Sequence, residues 1–279
     1  MEKQKKYKIV ASDLDGTLLG KNQQISAENL AAIKKMCSLG VEFVPTTGRA
    51  LSEIPQQLIE LDEVRYIITS DGAAVWDKSQ GKMILTHYIS KENVKFIFDT
   101  VDSNNSFSLI HQDGDNYYEV KKYNSAFLDK CRVGQGFRNV INACALEIND
   151  LDDFLTRSNE IEMICLFFAS DEELSECKRI FAGSDRLCVA QSDASNLEIY
   201  SSAAGKGNTL AAFAASLGVE LSEVIAVGDS DNDITLLQTA GLGLAMENAS
   251  DELKAIANKV ICNNSEHCAR YILENYVLQ

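Results

Sequence analysis

The sequence predicts an α/β protein with a Rossmann-like parallel sheet core, helices on both faces of the sheet and an inserted α+β domain. In the first part of the 279-residue chain, and again after Gly205, apolar runs of strand length alternate with segments of helical period. This alternation is typical of a parallel sheet covered by helices. The intervening segment shows hairpin signals instead. We therefore expect a core from residues 1–75 and 202–279, interrupted by an α+β domain over residues 76–201.

The first part of the core is predicted to contain three strands and two helices. The strands are Tyr7–Ser12, Val41–Pro45 and Tyr66–Thr69. Ser26 can cap the helix between the first two strands, and Gly40 can end it in a left-handed conformation. Leu51, Ile54 and Leu58 fall at helical spacing and predict a second helix before the third strand.

The inserted segment and the second part of the core follow different patterns. The predicted strands of the insert are Ser106–Ile110, Asn116–Val120, Arg186–Gln191 and Asn196–Tyr200. The first two flank Asp113-Gly114, a pair that favours a tight hairpin turn. Helices are expected after Ser90 and Ser170, which can act as N-caps. Beyond Gly205 the predicted strands are Val224–Val227, Leu242–Ala245 and Lys259–Cys262.

Composition excludes several classes of function. The net charge of −15 would repel nucleic acid or an anionic membrane. No apolar run approaches the roughly 20 residues of a membrane helix, and the start of the chain has no small-residue cleavage site of a signal peptide. We expect a cytoplasmic protein without nucleic-acid or membrane partners. Its eight cysteines form no CxxC pair and are expected to be free thiols.

Two acids directly follow the first predicted strand. Asp13 and Asp15 stand in Ser12-Asp-Leu-Asp-Gly-Thr-Leu-Leu, where the carboxyl ends of parallel strands form a ligand crevice. Two carboxylates held close together suit metal binding, or a division into nucleophile and proton carrier, because like charges separate their proton affinities. An acidic turn before a helix is also a common structural feature, so the pair alone does not establish catalysis.

A second acidic cluster follows the strand that begins at Val224. It contains Asp229, Asp231 and Asp233, with Asn232 between the last two. Hard oxygen ligands of this kind favour Mg²⁺. A helix N-cap is the structural alternative, but a cap requires one acid and not three. The glycine and the distant glutamate of a calcium loop are missing.

Two further segments lie at predicted strand ends or helix starts. In Thr46-Thr47-Gly48-Arg49, hydroxyl and backbone N–H groups can hold phosphate oxygens. Lys206 stands between two glycines and precedes a helix. Each segment alone is weak evidence for a phosphate site. Most lysines are solvated, and the Gly-Lys-Gly triplet lacks the rest of a nucleotide-binding P-loop.

The four motifs together, in this order along the chain, resemble the haloacid dehalogenase-like hydrolase superfamily, and within it the Cof-like phosphatases. The resemblance extends to the C-terminal block with Ala240-Gly, Ala245-Met and Asn248-Ala. It implies that the insert is a cap domain placed after the third core strand. It also implies a Mg²⁺-dependent phosphatase that acts on a small phosphorylated metabolite, with sugar phosphates favoured, through an aspartyl-phosphate intermediate.

The resemblance also assigns roles to individual residues. Asp13 would be the nucleophile and Asp15 the general acid/base, and both would bind the metal together with Asp229. Phosphate would be bound by Leu14, Thr47, Gly48, Lys206 and Asn232. Asp233 would support the metal site from outside the ligand shell.

The chain departs from the family pattern in two places. Asp71-Gly72-Ala73 stands where the family usually has Asn-Gly-Ala, and Glu266-His267-Cys268-Ala269 lacks the usual glycine. His87, His111 and His267 match no catalytic motif and are expected to be structural or surface residues, with at most a substrate role for the first two. A phosphotransferase or phosphomutase of the same chemistry, and a non-catalytic sensor of a phosphate ligand, stay open as alternatives.

Overall fold

The computed structural model describes residues 6–20 and 22–279. Residues 1–5, on which part of the argument against a signal peptide rests, lie outside the described residues. The chain divides into two compact units. The first contains the described residues up to Gly48, together with Ile54–Leu85 and Gly205–Gln279, and the second contains Arg49–Glu53 and Thr86–Ala204. The division into a catalytic core and a cap, with the boundaries given above, stays a prediction.

The strands and α-helices of the described residues have the following bounds. The strands are β1 (Ile9–Ser12), β2 (Glu42–Pro45), β3 (Tyr66–Thr69), β4 (Ala74–Asp77), β5 (Lys82–Thr86), β6 (Ser106–Gln112), β7 (Asp115–Glu119), β8 (Leu146–Ile148), β9 (Ile161–Phe168), β10 (Leu187–Ala190), β11 (Asn196–Ser201), β12 (Val224–Gly228), β13 (Leu242–Ala245) and β14 (Lys259–Val260). The helices are α1 (Ala27–Ser38), α2 (Gln56–Ile59), α3 (Lys91–Thr100), α4 (Ser125–Lys130), α5 (Gln135–Cys144), α6 (Leu151–Arg157), α7 (Asp171–Ala182), α8 (Lys206–Ser216), α9 (Ile234–Thr239), α10 (Asp251–Ile256) and α11 (Cys268–Ile272).

The first unit contains a five-stranded parallel sheet in the order β14-β13-β12-β1-β2. Every residue of β1 and β12, its central pair, is buried. Burial of both faces explains why these strands appear in the sequence as continuous apolar runs without alternation. The predicted α/β fold class is confirmed by this sheet and by the antiparallel sheet of the second unit.

Two details of the first unit differ from the sequence prediction. The helix predicted across Leu51, Ile54 and Leu58 is divided into a short turn at Leu51–Glu53 and the single turn of α2. Pro55 is the physical reason, because it lacks an N–H and disfavours helical backbone at the preceding residue. Strand β3 pairs antiparallel with β4, and an isolated parallel bridge between Thr46 and Ile68 connects it to the parallel sheet.

The second unit is built on a six-stranded sheet in the order β10-β11-β9-β6-β7-β8. Its pairs are antiparallel except β7 with β8. The predicted hairpin turn is present, with Asp113 and Gly114 both at positive φ. Among the described residues of the whole chain, no helix is long and apolar enough to cross a membrane.

Candidate active site

The two acidic motifs of the sequence meet at one end of the parallel sheet. Strands β1 and β12 are neighbours, with Ser12 opposite Val227. Asp13 follows the first strand directly, and its backbone N–H donates to the Val227 carbonyl at 3.0 Å. Asp229 likewise directly follows β12, which ends at Gly228. Parallel pairing in this register therefore brings together two carboxylates that are 216 residues apart in the sequence.

Asp13 lies almost fully buried, with 4% of its surface exposed. Its Oδ1 accepts a hydrogen bond from the Lys206 Nζ at 2.8 Å, whereas its Oδ2 is buried and has no hydrogen-bond partner among the residues that the structure describes. Burial raises the pKa of Asp13, and the nearby carboxylates of Asp233 and Asp229 raise it further. The site therefore holds more buried negative charge than Lys206 alone compensates.

Lys206 is held in place by the start of helix α8. The preceding Gly205 has φ 109°, a conformation that side-chain-bearing residues rarely adopt. Lys206 Nζ contacts Asp13 and, at 2.7 Å, the Oδ1 of Asp233. Burial by itself would lower the pKa of the ammonium group, but the two acids outweigh this effect and raise the pKa well above its ordinary value. Lys206 is therefore a permanently charged cation beside Asp13.

The loop after β12 is organised by Asp233. Its Oδ2 accepts from the backbone N–H groups of Asp229 and Ser230 at 3.0 and 3.2 Å, while its Oδ1 binds Lys206. Asp229 is partly buried, and burial together with Asp233 raises its pKa to about 6. Asp231, by contrast, is exposed and accepts a hydrogen bond from Ser250.

The carboxylates fit a small divalent cation. Oxygen atoms of Asp13, Asp229 and Asp233 all lie within 4.8 Å of one another. Within the described part of the chain, the buried Oδ2 of Asp13 has no hydrogen-bond partner, and a bound cation would provide one. A purely oxygen donor set is the kind that Mg²⁺ prefers. Gly16 is required here, since a Cβ at this position would lie 2.1 Å from the Asp229 Oδ2.

Asp15 and Leu14 lie in the irregular turn Leu14–Leu18 that follows Asp13, in which Asp15 and Gly16 have non-helical backbone angles. Asp15 is exposed and is close enough to Asp229 to raise its pKa. Leu14 is fully buried. The structure therefore places an accessible carboxylate two residues from a buried one, which is compatible with proton transfer to a ligand at this strand end.

The remaining predicted residues also lie in the first unit. Thr47 is buried, and its backbone N–H donates to the Ile68 carbonyl at 2.9 Å. Gly48 follows it, and a Cβ there would lie 3.2 Å from the Asp71 Oδ1. Asn232 donates from its Nδ2 to the same Asp71 oxygen at 3.1 Å. The structure thus places the Thr-Thr-Gly segment and Asn232 around one buried acid.

Sequence reasoning gave no role to two side chains that contact Asp229. The Thr17 hydroxyl donates to its Oδ1 at 3.3 Å, and the Asn248 Nδ2 approaches its Oδ2 at 3.3 Å and the Gly16 carbonyl at 2.8 Å. Thr17 belongs to the first motif, and Asn248 to the C-terminal block, so both were visible as pattern. The sequence pattern does not show that either side chain contacts Asp229, because these contacts depend on the tertiary structure.

The three histidines are distributed over both units. The Nδ1 of His267 lies 2.9 Å from the Ser26 Oγ, the N-cap of α1, and so helps to fix that helix start. His87 and His111 belong to the second unit, where His111 is buried. The expectation of a structural role is consistent with the contacts of His267.

Comparisons with known proteins agree with this geometry. The model of the haloacid dehalogenase-like hydrolase family matches residues 10–273. Phosphatase YwpJ of Bacillus subtilis is 29% identical, with 96% of this chain and 99% of the relative covered. A second relative from that organism, 5-amino-6-(5-phospho-D-ribitylamino)uracil phosphatase YwtE, is 29% identical, with 96% and 97% covered.

A solved structure shares the fold over almost the whole chain. It is a haloacid dehalogenase-like hydrolase from B. subtilis with a TM-score of 0.84 and 27% identity, covering 96% of this chain and 99% of that one. The family predicted from the four motifs is thereby confirmed. The family model matches nearly the full length of the chain, and the motifs lie at one end of the parallel sheet. The chain therefore belongs to the haloacid dehalogenase-like hydrolase family.

Proposed function

We propose that this chain is a Mg²⁺-dependent phosphatase that hydrolyses a small phosphorylated metabolite through an aspartyl-phosphate on Asp13. The enzyme class, a phosphoric monoester hydrolase, agrees with the phosphatase relatives. One observation carries the finer proposal: Asp13 is a buried carboxylate with Lys206 on one oxygen and, over residues 6–20 and 22–279, no hydrogen-bond partner on the other. A buried nucleophile beside a fixed cation suits attack on an anionic phosphoryl group.

The proposed metal would be held by the carboxylates of Asp13 and Asp229 and the main-chain oxygen of Asp15. When bound, Mg²⁺ supplies positive charge that neutralises the phosphoryl oxygens. Asp233 keeps the Asp229 loop in place through its two backbone hydrogen bonds. Thr47, Gly48, Asn232 and the backbone at Leu14 would bind the phosphoryl oxygens.

The reaction then has two half-reactions served by the same acid/base. A carboxylate oxygen of Asp13 attacks phosphorus, the bond to the ester oxygen breaks, and Asp15 donates a proton to the leaving alkoxide. In the second half-reaction, Asp15 takes a proton from the water that attacks the aspartyl-phosphate. Inorganic phosphate is formed and Asp13 is regenerated. The exposed position of Asp15 supports this role, because the residue must reach both an alcohol and water.

Sugar phosphates are the proposed substrate class. Sugar phosphates come first by family resemblance, and one relative acts on a phosphorylated ribitylamino compound, which carries a sugar-like chain. We propose that the second unit is a cap that selects the organic part of the substrate. Activity against a panel of phosphorylated metabolites, with one aryl phosphate as reference, tests both the class and the substrate.

The same experiment separates the alternatives. A phosphatase releases one inorganic phosphate for each ester consumed, whereas a phosphotransferase passes the phosphoryl group to an alcohol and releases less. A sensor without catalysis would turn over neither the metabolites nor the aryl phosphate. The accessible Asp15 near the Asp13 cluster favours hydrolysis over sensing.

Metal removal is expected to abolish activity. Treatment with EDTA should inactivate the enzyme and Mg²⁺ should restore it, whereas Ca²⁺ should inhibit because its larger and looser coordination shell misplaces the nucleophile. A second measurement is independent of turnover: Mg²⁺ should raise the melting temperature of the wild type, and much less that of Asp229→Asn. Full activity after thorough chelation would contradict the metal proposal.

Substitution of Asp15 is expected to depend on the leaving group. Asp15→Asn should lower kcat about 100-fold or more for alkyl phosphates, whose leaving alkoxide needs a proton. For aryl phosphates, which leave without protonation, the formation of the aspartyl-phosphate should be affected much less. Burst kinetics with both ester types measures that step. Equal losses for both esters would remove Asp15 from the acid role.

A further inference from the structure

Asp71 is a fully buried acid at the candidate site that has no step in the proposed mechanism. None of its surface is exposed, and it adopts left-handed backbone angles of φ 51° and ψ 36°. Asp and Asn tolerate this conformation better than most residues. Its buried carboxyl group therefore requires an explanation of its own.

Backbone contacts fix Asp71 between two of the phosphate-binding motifs. Its N–H donates to the Thr47 carbonyl at 3.1 Å, and its own carbonyl accepts from the Gly205 N–H at 3.0 Å. Gly48 and Lys206 are the next residues of those two motifs. The position of the Asp71 side chain relative to the phosphate-binding groups is therefore set by main-chain hydrogen bonds.

The side chain of Asp71 determines how the Asn232 amide is turned. The Asp71 Oδ1 accepts from the Asn232 Nδ2 at 3.1 Å, and the Asn232 Oδ1 accepts from the Ser230 hydroxyl at 2.7 Å. Because a carboxylate only accepts hydrogen bonds whereas a hydroxyl can donate or accept, the contact with Asp71 is the one that assigns the nitrogen end of the amide. The amide nitrogen carries two hydrogens, so one is held by Asp71 and the second is available to a phosphate oxygen.

The carboxylate also adds negative charge beside the anion site. Lys206 is already paired with Asp13 and Asp233, and Asp71 contributes further to the raised pKa of Lys206. The Asp71 Oδ1 lies so near Gly48 that a Cβ there would be only 3.2 Å away. Charges in a buried pocket are weakly screened, so a carboxylate at this position opposes a phosphate dianion strongly.

We propose that Asp71 is a specificity-determining residue of the phosphate site: it turns the Asn232 amide toward the ligand, and its negative charge lowers the affinity of the site for phosphate dianion. The inference rests on the proposed function only in taking this strand end as the phosphate site. Its consequence is that inorganic phosphate, the product, is bound weakly and released readily.

The charge effect is tested by binding of inorganic phosphate in the presence of Mg²⁺, at a pH where the dianion prevails. Asp71→Asn keeps the left-handed backbone and an acceptor oxygen but removes the charge. It is expected to bind phosphate at least about tenfold more tightly than the wild type. Asp231→Asn, the same change at an exposed acid of the neighbouring loop, is the matched control and should alter binding less than about twofold.

The orientation effect is tested by a second pair of variants. Asp71→Gly also tolerates the left-handed backbone but removes both the charge and the acceptor. It should bind phosphate more weakly than Asp71→Asn when Asn232 is present, and equally when Asn232 is replaced by Ala. Equal binding by the two Asp71 variants with Asn232 intact would overturn the orientation role.

A separate comparison keeps the charge effect testable even if Asp71→Asn does not fold. In the Asn232→Ala background, Asp71→Gly removes the charge without any change of orientation, and phosphate binding should again become about tenfold tighter. The charge role would be overturned if Asp71→Asn bound phosphate within twofold of the wild type. It would also be overturned if Asp71→Gly combined with Asn232→Ala bound phosphate within twofold of Asn232→Ala alone. Phosphate binding requires no turnover, so tighter binding by Asp71→Asn in a protein that hydrolyses no ester would contradict the proposed function alone.

Discussion

Asp13→Asn is expected to abolish turnover while the fold survives. The amide has the shape of the carboxylate but cannot act as an anionic nucleophile, so kcat should fall by at least about 10⁴-fold. The fold should tolerate the change, because Lys206 keeps its second buried partner, Asp233, at 2.7 Å. Steady-state hydrolysis of the best ester of the panel, together with the melting temperature, measures the two effects.

Two further measurements make this result specific to the nucleophile. The wild type quenched with acid during turnover should carry phosphate on Asp13, and the variant should carry none. Asp62→Asn makes the same change at an exposed position of the same unit and should retain activity. Activity of Asp13→Asn within tenfold of the wild type would show that another residue attacks phosphorus.

Lys206→Met is expected to affect both activity and stability. Methionine preserves most of the side-chain volume but leaves Asp13 and Asp233 buried without their cation. Removing one partner from a buried ion pair typically costs about 3–5 kcal/mol of unfolding free energy. The loss of positive charge at the phosphoryl group should also lower kcat/KM by about 10³-fold or more.

Trp76, the only tryptophan of the chain, makes the stability measurement local. It lies in β4 of the same unit as Lys206, so its fluorescence during urea unfolding reports on the unit that contains the site. The measurement requires EDTA, because a bound cation would partly replace the missing ammonium charge. Lys34→Met, at an exposed position of α1, is the control and should change the free energy of unfolding by less than about 0.5 kcal/mol.

A double variant separates the two consequences of losing Lys206. In Lys206→Met combined with Asp233→Asn, one of the two uncompensated acids is removed, so part of the stability should return. Activity should not return, because the cation at Asp13 is still absent. A free energy of unfolding within 1 kcal/mol of the wild type for Lys206→Met alone would mean that the buried acids do not depend on this cation.

Much of the fold could be predicted from the sequence because its signals are local. Buried parallel strands appear as apolar runs, so β12 and β13 were predicted to within one residue. Ser26 and Ser90 could be predicted as N-caps, since each hydroxyl accepts from a backbone N–H only three residues further along the chain. The single helix predicted across Leu51, Ile54 and Leu58 was wrong. Its apolar spacing was followed although Pro55, which disrupts helical backbone, lies within it.

The sequence by itself determined the family, the order of the motifs and the residue types available for chemistry, because these are properties of the linear pattern. Only the tertiary structure decided which groups touch. It placed Lys206 on one oxygen of Asp13 and left the other without a partner, and it turned Asp71 toward Asn232. These contacts join residues up to 193 positions apart. Strand register and backbone hydrogen bonds between loops create them, and neither is encoded in the spacing of residues along the chain.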